Sequence, residues 1–188
     1  AAFIAARVAG LHRGMLGLNG RGLGWQALVG ASGFGLGYVE YWILRPEPLA
    51  AGLSWGETWL PALILLVFTG FLEEFVFRGL MQYTALRTLG RMGLLYTAGV
   101  FAVLHFGYRS ALDVIFVFAV ALYFGWVVQR TGSILGVTLS HGLTNIALFL
   151  IFPFLLAHRT FGNFSYTMLL VGGVFAVKYM RRMKAEDP

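Results

Sequence analysis

Three ionisable side chains lie close together in an otherwise apolar stretch of this sequence. Glu73, Glu74 and Arg78 fall within six positions, between Leu66 and Leu80. An ionisable side chain at the centre of a membrane helix costs about 3 kcal/mol by insertion scales, and such residues usually mark functional sites. Because Glu74 and Arg78 are four residues apart on a helix, they share a face and can pair. Glu73 points about 100° away from Glu74, which leaves its carboxylate free to face a cavity.

Two histidines and an amide could complete a hydrolytic site around Glu73. His105 follows an apolar run, while His141 and Asn145 lie four residues apart and therefore share a helix face. A carboxylate with a histidine can position and deprotonate a water molecule. A second histidine and an amide N–H can stabilise the oxyanion that develops on an attacked carbonyl group. The combination predicts hydrolysis.

The same residues allow other interpretations. Glu73, His105 and His141 offer two histidines and one carboxylate, a ligand set that suits a catalytic zinc ion with an open position. In a purely structural interpretation, Arg78 locks the glutamates together and His141 only hydrogen-bonds between helices. A transporter-like proton relay through these groups is a further alternative. The sequence leaves the zinc and metal-free mechanisms open.

The composition is that of an integral membrane protein. Of the 188 residues, 59% are hydrophobic and 12% are charged, whereas about 25% are charged in soluble domains. The absence of cysteine excludes disulfides and thiolate metal sites. In such a chain the net charge of +6 indicates cytoplasmic loops and contacts with anionic lipid, so membrane lipid is an expected partner and nucleic acid is not.

Apolar runs predict an all-α, polytopic transmembrane bundle of about six spans, in a single membrane domain over residues 1–188. Each run is near the roughly 20 residues that a bilayer requires. The first 20 residues alternate basic and apolar side chains, which predicts an interfacial amphipathic helix. The predicted spans are Leu23–Leu44, Thr58–Met81, Gly93–Tyr108, Ala111–Gln129, Ser133–Phe152 and Phe164–Met180.

The distribution of basic residues predicts the orientation of these spans. Lys and Arg are enriched in cytoplasmic loops. With both termini in the cytoplasm, in a bacterial inner membrane, the inside segments carry Arg7, Arg13, Arg21, Arg87, Arg91, Arg130, Lys178, Arg181, Arg182 and Lys184. The outside loops then carry only Arg45, Arg109 and Arg159. This asymmetry supports both the number of spans and their direction.

Two other carboxylates and one glycine pair lie near the predicted span ends. Asp113 begins the fourth span and is expected to act as a helix N-terminal charge near the outer interface. Glu40 is expected to reach the interface or to pair with Arg45. Gly172 and Gly173 in the last span predict close contact with another span or with another membrane subunit.

Three motifs in this chain resemble those of the CPBP family of intramembrane proteases. The family includes the type 2 CAAX prenyl endopeptidases and bacterial bacteriocin-processing or immunity proteins. The motifs occur in the family's order, over a core of residues 60–150. They are EExxxR at Glu73–Arg78, FxxxH at Phe101–His105 and HxxxN at His141–Asn145.

The resemblance implies a role for each motif residue. Glu73 and His105 are expected to activate water, and His141 and Asn145 to stabilise the oxyanion, with Glu74 and Arg78 as structural support.

The expected function is therefore hydrolysis of a peptide bond in a membrane-associated protein or peptide, at a site open to the cytoplasmic side. Family members are described both as metalloproteases and as metal-free enzymes, so zinc remains an open cofactor. The alternative function is that of a non-catalytic accessory or scaffolding subunit in a larger membrane complex.

Overall fold

The computed structural model describes residues 2–156, and every regular element within this range is a helix. The prediction of an all-α bundle is therefore confirmed. The predicted span Phe164–Met180 and the glycine pair Gly172–Gly173 lie outside the described residues. The helices are α1 (Ala2–Val8), α2 (Leu23–Leu44), α3 (Trp55–Leu89), α4 (Met92–Tyr108), α5 (Ala111–Thr131) and α6 (Leu135–Leu156).

Three of these helices, α3, α5 and α6, are long and apolar enough to cross a membrane. The sequence predicted five spans in the described range, so two are weaker than expected. Helix α4 is apolar but short, which matches the short predicted span at Gly93–Tyr108. Helix α2 has the predicted bounds, but its five glycines, together with Gln26 and Glu40, lower its hydropathy.

Helix α3 changes its winding where the first motif lies. It is α-helical at Trp55–Ile64 and Gln82–Leu89, and π-helical at Leu65–Glu73 and Phe75–Met81. A third π-helical segment, Ala147–Ile151, begins in α6 directly after Asn145 and Ile146. Segments with i→i+5 bonding are rare and occur frequently at functional sites. The sequence predicted a regular helix here, and it contains no residue pattern that indicates π-helical turns.

Glycines let α6 approach both α2 and α3. A Cβ atom on Gly33 of α2 would lie 2.2 Å from the carbonyl oxygen of Ser140. A Cβ atom on Gly70 of α3 would lie 2.8 Å from the carbonyl oxygen of Thr138. Only glycine permits backbones to pack at this distance. Helix α6, which carries the third motif, is therefore held tightly between two neighbours.

The connections between helices gather at two ends of the bundle. At the first, which we call the basic end, α2 and α6 begin and α3 and α5 end. The segment after α1 closes this end, because the Asn19 side chain donates to the carbonyl of Gly132 at 2.6 Å and the Ser133 hydroxyl donates to the carbonyl of Asn19 at 2.8 Å. At the opposite end lie the 45–54 and 109–110 connections.

A layer of buried apolar side chains, the basal core, separates the basic end from the middle of the bundle. Helix α1 belongs to this layer, since the ring of Phe3 stacks on that of Phe75 with centroids 4.3 Å apart. The first 20 residues therefore form a short helix and turns packed on the bundle. Ala6 is buried, whereas Ile4 and Val8 are exposed, and the interfacial position of this segment stays a prediction. The basal core comprises Ala6, Leu16, Val29, Phe75, Phe124, Val127, Ile134 and Val137.

The glycine contacts make a testable prediction. Replacing Gly33 by alanine should lower the free energy of unfolding by about 1–3 kcal/mol, the usual cost of overpacking a tight interface. Gly35→Ala in the same helix is the matched control, because no atom lies within 4 Å of its Cβ position. Thermal unfolding in detergent micelles measures both. Equal unfolding temperatures for the two variants would contradict the packing described here.

Candidate active site

The Glu74 carboxylate joins the first and third motifs at the middle of the bundle. Its Oε1 atom accepts a hydrogen bond from Arg78 Nη1 at 2.9 Å and another from His141 Nδ1 at 2.8 Å. Glu74 is 0% exposed and Arg78 is 4% exposed. The predicted Glu74–Arg78 pair is formed. The contact between this pair and His141 was not predicted, since it spans 67 positions and depends on how α3 and α6 pack.

Aromatic rings complete the surroundings of the buried guanidinium. The Arg78 Cζ atom lies 4.3 Å from the ring centroid of Phe101 and 5.7 Å from that of Phe124. A cation over an aromatic face gains electrostatic attraction, and more so where water is excluded. Together with Glu74, these rings offset the cost of burying the positive charge. Phe101, the first residue of the second motif, thus contacts the arginine of the first.

His141 lies between the two adjacent glutamates. An ionised Glu74 only accepts hydrogen bonds, so the hydrogen on His141 Nδ1 points to it. The second ring nitrogen, Nε2, lies 4.0 Å from Glu73 Oε2. The Glu73 side chain is 35% exposed, in contrast to its neighbour. One glutamate therefore fixes the histidine ring, and the other faces open space.

His105 presents a nitrogen lone pair. Its Nδ1 atom lies 2.9 Å from the carbonyl oxygen of Phe101. Because a carbonyl oxygen only accepts, Nδ1 carries the hydrogen and Nε2 is left as a proton acceptor. The ring also packs on Phe101, with centroids 4.7 Å apart. Both contacts lie within the FxxxH motif, so this motif fixes the tautomer of its own histidine.

The Asn145 amide is held by the first π-helical segment of α3. Its Nδ2 atom donates to the Thr69 hydroxyl at 2.9 Å, and that hydroxyl donates in turn to the carbonyl of Leu65. One of the two amide hydrogens is used in this contact. The second hydrogen and the amide oxygen stay available to a ligand. Thr69 was not predicted as a site residue, although it is a polar side chain one turn before Glu73.

One cavity of about 270 Å³ is lined by all four side chains predicted to be catalytic, Glu73, His105, His141 and Asn145. These residues come from α3, α4 and α6, so the cavity lies where the three helices meet. Most of the other lining side chains are apolar. The arrangement combines a carboxylate, two imidazoles and an amide in a largely apolar space.

The cavity extends away from the basic end. Its lining includes Leu49 from the α2–α3 connection, Tyr108 at the end of α4 and Phe149 in the last turns of α6. None of the described lining residues belongs to a basic-end connection, and the basal core lies between the cavity and that end. This differs from the expectation of a site open at the basic, cytoplasmic end. The spacing of residues along a helix indicates how deep a site lies in the membrane. It does not indicate which end of the bundle is filled by other side chains.

Two further carboxylates were assigned other roles from the sequence, and one of them lies at this site. Glu40 lines the cavity, and it neither reaches an interface nor pairs with Arg45, whose guanidinium lies 3.7 Å from the Trp42 ring centroid. Asp113 does lie in the first turn of α5, where its N–H donates to Ser110 Oγ at 3.2 Å. Its carboxylate, however, is fully buried. The sequence did contain a signal that these two residues are functional candidates, because both are acidic and lie inside predicted spans.

The predicted zinc ligands do not form a metal site in this arrangement. A catalytic zinc needs three protein ligands at about 2.0–2.2 Å from the metal. Within residues 2–156, no three His, Cys, Asp or Glu side chains are placed to hold a metal ion together. The Nδ1 atoms of His105 and His141 contact Phe101 and Glu74, which leaves Nε2 of each ring open. Zinc binding stays a prediction from the sequence, and no step below passes through a metal.

Comparison with known proteins identifies the family. Residues 55–147 match the family model described as type II CAAX prenyl endopeptidase Rce1-like. The chain belongs to the CAAX protease family. The match includes all three motifs, and it agrees with the resemblance drawn from them. No curated protein and no solved structure matches the chain. The chain is thus an integral membrane protein of a protease family, with the three family motifs gathered around one cavity.

The shared Glu74 carboxylate makes a second testable prediction. Glu74→Ala should lower the free energy of unfolding by about 3–5 kcal/mol, because Arg78 is left buried without its partner. A Glu74→Leu/Arg78→Met double variant should recover most of this loss, since apolar groups of similar volume replace the pair. Thermal unfolding of the purified variants is the measurement. A double variant no more stable than Glu74→Ala would show that the buried charge is not the cause.

Proposed function

We propose that this chain is an intramembrane endopeptidase that hydrolyses a peptide bond of a membrane-associated protein or peptide. The supporting observation is the convergence of Glu73, His105, His141 and Asn145 on one cavity. His105, His141 and Asn145 are each held by a hydrogen bond that leaves a second polar atom of the side chain available, and the Glu73 side chain is 35% exposed. The family relationship supports the same reaction class.

The first step is attack by water. A water molecule beside Glu73 loses a proton to the carboxylate while its oxygen bonds to the carbonyl carbon of the substrate. The lone pair on His105 Nε2 accepts a hydrogen bond from the second hydrogen of the same water, which stays on its oxygen, and so orients the water. The product of this step is a tetrahedral intermediate with a negative oxygen, and a protonated Glu73.

In the second step, hydrogen-bond donors stabilise the negative oxygen of the tetrahedral intermediate. The remaining N–H of Asn145 is one donor, and Thr69 holds the amide in place. The second donor is His141 Nε2, in the form of the imidazole that carries a hydrogen on each ring nitrogen. Glu74 holds this ring in position. Collapse of the intermediate breaks the C–N bond, and the proton on Glu73 passes to the leaving amine. Preorganised donors of this kind typically contribute 10²–10³ in rate each, to order of magnitude.

The direction of the cavity sets the route of the substrate. We propose that the peptide enters from the end opposite the basic one, past Leu49 and Tyr108, because the basal core closes the other route. If the basic end faces the cytoplasm, the substrate arrives from the far side of the membrane. Placement in a bacterial inner membrane, with both termini cytoplasmic, stays a prediction from the sequence.

The proposed catalytic residues can be tested by substitution. Glu73→Gln should lower the rate of reporter-peptide cleavage by roughly 10²–10⁴, the range for a general base. Asn145→Ala should lower it by roughly 10²–10³ through loss of an oxyanion donor. Initial rates of a fluorogenic peptide in proteoliposomes are the measurement, with thermal unfolding as a check on folding.

The same experiment includes His105→Ala, which removes the acceptor that orients the water and should also lower the rate. Glu47→Gln, at an exposed carboxylate, is the matched control for Glu73→Gln, and His12→Ala, at an exposed histidine, is the matched control for His105→Ala. Both controls should cleave at the wild-type rate. Undiminished cleavage by Glu73→Gln would overturn the proposal. A stable stoichiometric membrane partner without any cleavage would instead favour an accessory subunit.

A metal chelator distinguishes the metal-free mechanism from the metal-dependent one. Because no three ligands are placed together, we expect 1,10-phenanthroline to leave the cleavage rate unchanged. Rates with and without the chelator, in protein passed through metal-free buffer, provide the measurement. Loss of activity that added zinc restores would support the metal-dependent mechanism.

A further inference from the structure

Glu40 is a carboxylate without a partner inside the cavity. It is 7% exposed and lines the cavity wall. Within the described part of the chain, it forms no hydrogen bond or ion pair. A buried carboxylate with nothing to neutralise it costs several kcal/mol at least, so such a group usually meets a cation or keeps a proton. Nothing in the proposed hydrolysis uses it.

Asp113 supplies a second carboxylate to the same region. Phe116 and Val117, three and four residues further along α5, line the cavity, so Asp113 lies on the cavity-facing side of that helix. Its side chain is fully buried, and among residues 2–156 neither of its oxygens has a hydrogen-bond partner. It is close enough to act electrostatically on Glu40. Of the two acidic groups, only Glu40 lines the cavity, and Asp113 adds negative charge behind the wall.

The surroundings favour an organic cation over a metal ion. Hard metal ions such as Ca²⁺ take six to eight oxygen ligands, whereas the walls here are largely apolar, including Phe116, Val117 and Val120. A lysine or arginine side chain matches this composition. Its apolar stem packs along apolar walls while its charged head pairs with carboxylates.

We infer that Glu40 is the contact group of a subsite for a positively charged side chain, lysine or arginine, of the peptide substrate, with Asp113 as a second negative charge behind the cavity wall. The inference rests on the proposed function, because it assigns the substrate class of the same cavity. It adds a specificity determinant outside the three family motifs.

The helix register gives the distance of this subsite from the reacting bond. Helices α2 and α6 run parallel, with Gly37 packed against Thr144. Glu40 lies three residues beyond Gly37, and His141 lies three residues before Thr144. At 1.5 Å per residue the two levels are about 9 Å apart. An extended peptide covers about 3.3 Å per residue, so the basic residue should lie about three positions from the cleaved bond.

A peptide series with matched substitutions tests the inference. All peptides are N-acetylated. Each set of peptides varies a single position, which carries lysine, acetyl-lysine, arginine or glutamine, and the sets together cover the positions two to four residues on either side of the cleaved bond. At one of these positions, lysine and arginine should raise kcat/KM about tenfold or more over the neutral residues, as measured for close charge pairs. Glu40→Gln and Asp113→Asn should remove this preference by raising KM. Glu47→Gln, an exposed carboxylate at the same end, should keep it.

A binding measurement separates this inference from the proposed function. The Glu73→Gln variant is titrated with the same fluorescent peptides in proteoliposomes, without cleavage. Tighter binding of the lysine peptide than of the acetyl-lysine peptide supports the subsite, even if the wild-type protein cleaves nothing. Equal binding and equal kcat/KM for these two peptides would overturn it, and would leave Glu73-dependent cleavage standing. The lysine and acetyl-lysine comparison needs no change at Glu40, so it remains decisive if that variant fails to fold.

Discussion

A single carboxylate oxygen, Oε1 of Glu74, receives hydrogen bonds from Arg78 and from His141. The three side chains are almost completely buried, so each would carry a large desolvation cost alone. The geometry of His141 is a consequence of this arrangement, because Glu74 fixes the ring at Nδ1 while Nε2 lies 4.0 Å from Glu73 Oε2. Arg78 extends the same network to the second motif through Phe101. All three motifs are therefore coupled through one buried charge pair.

This network requires α3 and α6 to stay in a fixed register. Gly70 allows the two backbones to approach, and Gly33 allows α2 to approach α6 from the other side. The contact between Asn145 and Thr69 adds a second polar connection between α3 and α6. The site is thus built mainly on helices packed at backbone distance, which hold side chains more precisely than loops do.

The sequence predicted the helices and the motif residues because two strong rules apply to them. Buried ionisable groups are rare in membrane helices, and spacing of four residues places Glu74 beside Arg78. The same rules could not reveal the bond between Glu74 and His141, which depends on packing between distant segments. Glu40 and Asp113 lie near span ends, where charged side chains usually reach water, so their burial was not predictable from position. The π-helical turns of α3 likewise have no signal in the linear pattern of residues.

The basal core has a consequence for the membrane as a barrier. A cavity large enough for water that holds a carboxylate and two imidazoles is a potential path for protons across the bilayer. The eight apolar side chains of that layer stand between the cavity and the basic end. In the proposed reaction, both products therefore leave through the end of the cavity by which the substrate enters. The same layer keeps the proposed hydrolysis from opening a path for ions across the bilayer.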